Sequence, residues 1–284
     1  MKPLRFTKMQ GIGNDFMIVD GLTQDVSMSP SQISQLASRT TGVGFDQLLV
    51  VEAPTHPSAD FFYRIYNADG TAAGQCGNGA RCFAKYVYDK RLNPKRSLTL
   101  QTETSRLTTK RLSANEFKVS LEAPQFDPEI IPFKPTGQSH PDGSKWAFEP
   151  PGQASVQFGV CNVGNPHAVL LLPSAAPSNL SEWATALTTA HSFPEGVNVG
   201  FMEVMSEHEV KLRVFERGAG ETLGCGSGAC AAVAVGRQWQ ILAPSVKVHM
   251  PGGTLSIAWQ GGRNKIEMTG PAIRVFEGSA HLSL

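Results

Sequence analysis

The sequence predicts an α+β fold made of two similar halves, and three observations predict it. Residues 64–80 (RIYNADGTAAGQCGNGA) and 213–229 (RVFERGAGETLGCGSGA) share Arg, Cys, two Gly and Ala at a constant offset of 149. Gly13-Asn14 recurs as Gly164-Asn165, and the amide Gln47 as the amide Asn198, both at an offset of 151. Strand-like runs follow one another without intervening helices, which disfavours a parallel βαβ array. One coincidence of spacing is cheap; three in the same order argue for a duplicated unit.

The elements follow in order. Residues 3–10 and 16–20 read as strands around the turn 11–15, GIGND. A helix begins at Ser29-Pro30, where Ser can cap and Pro fits the first turn, and stops before Gly42. Residues 47–51 and 61–66 are β-type runs. A helix over 79–91 has Ala80, Phe83, Ala84 and Val87 on one face. A meander follows at 98–100, 106–112 and 117–121, with 113–116 as a turn. From Pro124 to Pro151 there are seven prolines and no clear period, so this stretch reads as a long connection between domains. The pattern then restarts with strands at 156–163 and 168–172, a helix at 181–191, strands at 197–205 and 210–215, and a second central helix at 228–239. Strands at 246–250, 254–259 and 265–269 close it, with Gly261-Gly262 as a tight turn.

The chain has 284 residues, 41% hydrophobic and 17% charged, which is ordinary for a soluble two-domain protein. A net charge of +1 gives no electrostatic footprint for nucleic acid. The N-terminal residues lack the apolar core of a signal peptide, and no run is long enough to span a bilayer. Five cysteines, an odd number, point to reduced thiols and a cytoplasmic location rather than to a disulfide framework.

Cys76 and Cys225 carry the chemistry. Each precedes Gly-x-Gly-Ala and an apolar helix, so each sits at a helix start, where the positive dipole end favours thiolate. The expectation is a pKa lowered toward neutrality and a thiol able to act as acid or base. A lone buried Cys is usually a packing residue; two at equivalent places in a duplicated block are not well explained that way. Gly77-Asn78-Gly79 and Gly226-Ser227-Gly228 let backbone N–H groups approach an anion at the helix starts. A nucleotide loop is the rival, but no P-loop or dinucleotide fingerprint matches.

An amide-rich set, Asn14, Gln47, Asn67, Asn165 and Asn198, lies beside these blocks, although single amides near glycines are usually turn formers. Arg217 is a natural partner for a carboxylate, its duller alternative being a surface ion pair. His167 follows Asn165-Pro166. Glu216 aligns with Asn67, so one half supplies a carboxylate where the other supplies an amide. No C-x₂-C or H-x₃-H pair marks a metal site. Cys82, Cys161 and Cys230 lie in apolar runs and read as packing residues.

On these motifs the chain resembles the diaminopimelate epimerases: GIGNDF at 11–16, GFDQL at 44–48, NADG at 67–70, CGNGAR at 76–81, GNPH at 164–167, NVGF at 198–201 and ERGAGETLGCGSGAC at 216–230. The resemblance implies two pseudo-symmetric domains, each a curled, mostly antiparallel sheet around a central helix. The first would be 1–122 plus about 272–284, the second 123–271. It implies interconversion of L,L- and meso-2,6-diaminopimelate without a cofactor or metal, in lysine and peptidoglycan precursor synthesis. Cys76 and Cys225 would be the acid/base pair, with His167 and Glu216 supporting them or contacting the substrate amino group. Asn14, Gln47, Asn67, Asn165, Asn198, Glu216 and Arg217 would bind substrate, and the backbones of Gly77, Asn78, Gly226 and Ser227 the reacting carboxylate. It also implies a homodimer; Phe276 stands where the family has an interface Tyr.

Three other readings remain at this point. A proline or hydroxyproline racemase on the same fold would not need the set Asn67, Asn165, Asn198 and Arg217. A non-catalytic thiol redox or metal-binding protein lacks its spacings here. A catalytically inactive amino-acid-binding module would not need both cysteines.

Overall fold

The computed structural model describes residues 3–135, 144–150, 154–173 and 178–281. The chain forms two compact units, residues 1–120 with 269–284, and residues 121–268.

The first unit opens with β1 (Leu4–Gly11) and β2 (Asn14–Asp20), an antiparallel hairpin. Helix α1 (Pro30–Ala37) carries the chain to β3 (Gln47–Glu52), which lies parallel to β2. Ser29 caps α1 in a full capping box with Gln32, as the Ser-Pro start predicts. β4 (Phe61–Asn67) pairs antiparallel with β3, and α2 (Gly77–Asp89) leads to β5 (Ser97–Gln101), parallel to β4. β6 (Arg106–Arg111) and β7 (Glu116–Leu121) complete the meander. The predicted fold class holds: pairing is antiparallel except where a helix intervenes, because only a crossover can join parallel neighbours.

The second unit repeats this order. After a short β8 (Trp146–Phe148) come β9 (Val156–Asn162), β10 (Pro166–Leu171), α3 (Leu180–Thr188) and β11 (Asn198–Ser206). Next are β12 (Glu209–Glu216), the short β13 (Gly220–Thr222), α4 (Gly226–Gln238), β14 (Ser245–Met250) and β15 (Gly253–Ala258). Here too the two parallel steps, β10 to β11 and β12 to β14, are those that span a helix. β16 (Ile266–Pro271) returns the chain to the first unit, where β17 (Ile273–Ala280) pairs antiparallel with β1.

The register locates the change of offset between the repeats. Glu52 pairs with Phe62 in the first unit and Glu203 with Lys211 in the second. The connection is therefore two residues shorter in the second unit, and the offset falls from 151 before it to 149 after it.

Each sheet packs around its own helix. α2 lies against β1, β2, β3, β6 and β17, and α4 against β9, β10, β11, β12 and β15. Alanine and valine cover α4 on every side, and Ala229 to Val235 are all completely buried, as a helix apolar all round requires. α2 achieves the same burial with charges: Arg81 is fully buried and donates to the Pro271 carbonyl at 3.2 Å, and Lys85 pairs with Asp89 at 3.0 Å.

The stretch 124–151 corrects the reading as a mere connection. Ile131, Phe133 and Trp146 are buried in the core of the second unit. Phe133 stacks on Phe193 at 4.8 Å and meets Trp146 edge-on at 4.9 Å. Isolated aromatics among prolines carry no period, so this anchoring has no pattern to betray it. Within that stretch, 136–143 and 151 lie outside the described residues.

Candidate active site

In the first unit, strand register gathers the polar side chains. Phe16 pairs in parallel with Gln47, and Gln47 in antiparallel with Asn67. Asn14, Gln47 and Asn67 therefore sit at one end of β2, β3 and β4. Asn14 follows a tight turn in which both Ile12 (φ 50°) and Gly13 (φ 84°) have positive φ. A β-branched residue there is strained, and burial holds it in place, for Ile12 is 2% exposed.

Cys76 is the N-cap of α2, its Sγ accepting the Gly79 N–H at 3.3 Å. That is why α2 starts two residues before the predicted position: the cysteine is the cap. Gly79 has a packing role as well, since a Cβ there would lie 2.2 Å from the Tyr63 hydroxyl. That hydroxyl donates to the Cys76 carbonyl at 3.1 Å. The Cys76 thiol donates to Asn14 Oδ1 at 3.9 Å, and Asn78 Nδ2 donates to the same oxygen at 3.3 Å. Gln47 Nε2 donates to Asn67 Oδ1 at 3.0 Å, and Asn67 Nδ2 to Thr71 at 3.1 Å. Gln47 Oε1 is buried with no partner among the described residues.

The second unit builds a matching set at the same ends of its strands. His167 pairs with Asn198 across β10 and β11. Cys225 caps α4, its Sγ accepting from Gly228 N–H at 3.4 Å and lying 3.5 Å from Ser227 Oγ. Glu216, at the end of β12, accepts from Thr222 at 2.7 Å, and its charge acts on the Cys225 thiol.

The expected lowering of both thiol pKa values is corrected here for Cys225. Burial first, and then the Glu216 charge, push this thiol well above its usual value. Together they outweigh the hydrogen bonds at the helix start, and Cys225 is a protonated thiol. Its counterpart Cys76 is half-buried.

His167 is fully buried and holds Asn165 Oδ1 at 2.9 Å through Nε2. Burial lowers its pKa to about 3, so the ring is neutral at physiological pH. Asn198 is committed to the backbone: Nδ2 donates to Pro166 O at 3.0 Å, and Oδ1 accepts the Arg217 N–H at 2.9 Å. The Arg217 guanidinium donates to the Glu195 carbonyl at 2.6 Å and pairs with no carboxylate among the described residues.

Sequence reading passed over Asp46 and Tyr63. Asp46 lies inside the motif GFDQL and accepts from Asn14 Nδ2 at 2.8 Å. Among the described residues no cluster of three His, Cys, Asp or Glu could hold a metal ion, and no helix is long and apolar enough to cross a membrane.

The diaminopimelate epimerase family model matches residues 6–126 and 159–275. Among solved structures, a phenazine biosynthesis protein of the PhzF family from Bacillus anthracis superposes with a TM-score of 0.69 at 16% identity, over 99% of this chain and 100% of that one. A hydroxyproline epimerase from Agrobacterium vitis gives 0.69 at 13%, over 98% and 92%. A methylitaconate-delta-isomerase gives 0.65 at 11%, over 98% and 95%. Identities this low establish a shared fold.

Proposed function

Because the chain belongs to the diaminopimelate epimerase family, we propose that it interconverts L,L- and meso-2,6-diaminopimelate without a cofactor, one cysteine removing the α-proton and the other returning a proton to the same carbon. The observation that carries this reading is the pair of cysteine N-caps, one at the start of each central helix. Inversion at a carbon next to a carboxylate needs a base on one face and an acid on the other. Cys225, protonated beside Glu216, supports assignment as the acid for one direction, with Cys76 as the base. The reverse reaction exchanges the roles.

The N–H groups of Gly77, Asn78, Gly226 and Ser227 take the reacting carboxylate and the charge that develops on it. Asn14, Gln47, Asn67, Asn165 and Arg217 hold the rest of the substrate. Two expected substrate contacts become positioning residues in this reading. His167, neutral and bonded to Asn165, orients that amide; Asn198 fixes the backbone that carries Arg217. The Arg217 guanidinium, which meets no carboxylate among the described residues, supports a substrate with a second, distant carboxylate, which the cyclic amino acids lack. In this reading the products feed lysine and cell-wall precursor synthesis, and the enzyme works in the cytoplasm. A homodimer also belongs to this reading, supported by Val275 and Phe276 on β17, which are 54% and 47% exposed.

Parallel assays with L,L-diaminopimelate, L-proline and trans-4-hydroxy-L-proline test the assignment. Turnover of diaminopimelate alone is expected. Turnover of a cyclic amino acid and none of diaminopimelate selects the racemase reading instead.

A further inference from the structure

Asn14 is held from behind by a compact charged cluster. Its Nδ2 donates to Asp46 Oδ2 at 2.8 Å, and the same oxygen accepts the Asp15 N–H at 3.1 Å. Arg39 bonds Asp46 Oδ1 at 2.6 Å and grips both Asp15 oxygens at 2.9 Å. Lys8 completes the cluster, pairing with Asp15 at 2.7 Å and donating to the Gly44 carbonyl. Two cations balance two anions. Arg39 is exposed at the surface, while Lys8 is almost wholly buried.

An amide can present either end to a neighbour, and the neighbour chooses. An ionised carboxylate only accepts hydrogen bonds. Asp46 therefore fixes the NH₂ of Asn14 toward itself and leaves Oδ1 facing the Cys76 thiol. The opposite orientation would offer the sulfur a donor and stabilise thiolate. The repeat sharpens the contrast. Position 197, where an offset of 151 puts the counterpart of Asp46, is Val197, and Asn165 is instead held through its oxygen by His167. The two equivalent amides are thus locked opposite ways round.

We propose that Asp46 is a positioning residue that locks the Asn14 oxygen toward Cys76 and so keeps this sulfur a thiol until substrate arrives. The inference deepens the two-thiol reading and rests on it for its catalytic meaning. A substrate ammonium that takes the Asn14 oxygen removes the acceptor from the thiol and adds a positive charge beside it; the thiol proton then passes to solvent. The other groups near Cys76 hold their charge throughout. Tyr63 on β4 is raised by burial well above its usual 10, Cys82 on α2 is raised by burial to about 12, and Arg81 stays cationic.

The test needs no substrate. The full-length protein is alkylated with iodoacetamide across a pH series, and the Cys76 peptide is quantified by mass spectrometry. Asn14→Ala removes the acceptor and should lower the pH midpoint by about one unit. Asp46→Asn should lower it as well. Loss of the Asp46 charge alone would push the same way, so the decisive arm is Asp46→Asn in the Asn14→Ala background, where the shift should shrink to the part the charge alone supplies. If Asp46→Asn does not fold, Asp46→Ala, which likewise removes the carboxylate, replaces it in the same cycle. An unmoved midpoint in Asn14→Ala overturns the proposal. So does an Asp46 shift that persists undiminished without Asn14. Either outcome leaves the epimerase reading standing, because no turnover is measured.

Discussion

The Glu216 carboxylate lies beside the buried Cys225 thiol, and its charge helps to hold that thiol protonated. The residue 149 positions earlier is the uncharged Asn67. A carboxylate in the second half thus stands where the first half has an amide.

Glu216→Gln should lower the pH at which Cys225 ionises, because the opposing charge is gone while burial remains. Ultraviolet thiolate absorbance in a Cys76→Ser background reads it directly. An unchanged titration would mean that burial alone sets this thiol.

Cys76→Ser and Cys225→Ser should each cut turnover by about 10²–10⁴-fold or more, since a hydroxyl cannot replace a thiol in proton transfer near neutrality. Circular dichroism should show both folds intact. Near-native turnover in both directions by either variant would exclude the two-thiol mechanism.

Much of this was legible in the sequence because it is local or repeated. Ser29 announces its capping box, and the Cys-Gly-x-Gly blocks announce the helix starts. The amides were legible as a set because register places residues that begin and end strands at one sheet end. What was not legible depends on packing. Cys225 sits at a helix start like Cys76, and only the folded chain buries it against Glu216. Asn198 carries the same amide as Asn14 but spends it on the Arg217 backbone. Gly79 reads as a site for an anion, yet the Tyr63 hydroxyl already forbids any larger side chain there. Asp46 was overlooked because an aspartate next to the amide Gln47 carries no periodic signal.

Arg217→Met should lower kcat/KM for diaminopimelate by about 30-fold or more, the loss expected when a charged partner is removed from a desolvated contact. Stability should hold, because the guanidinium makes one hydrogen bond to a carbonyl. Unchanged kcat/KM would remove Arg217 from the site.

Acid should weaken the fold in two windows. His167 has its folded pKa lowered by burial from 6.5 to about 3. The unfolded chain takes up that proton first, so its contribution is full above the unfolded value and is lost as pH falls toward 3. For Asp15, burial alone would raise the pKa, but Arg39 and Lys8 outweigh it and bring it from 3.8 to about 2. Its contribution is full above 3.8 and lost as pH falls through 2. Urea unfolding between about pH 7 and pH 5 should show His167→Gln losing less stability than the native protein, by up to about 1.4 kcal/mol per pH unit. Parallel curves would show that His167 is not buried neutral.

Incubation with L,L-diaminopimelate in D₂O, followed by mass spectrometry and chiral separation, tests the central claim most directly. Two-thiol epimerisation predicts the meso isomer carrying one deuterium at the inverted α-carbon, with no added cofactor. Absence of both the meso isomer and α-deuterium from a folded, reduced protein would contradict it.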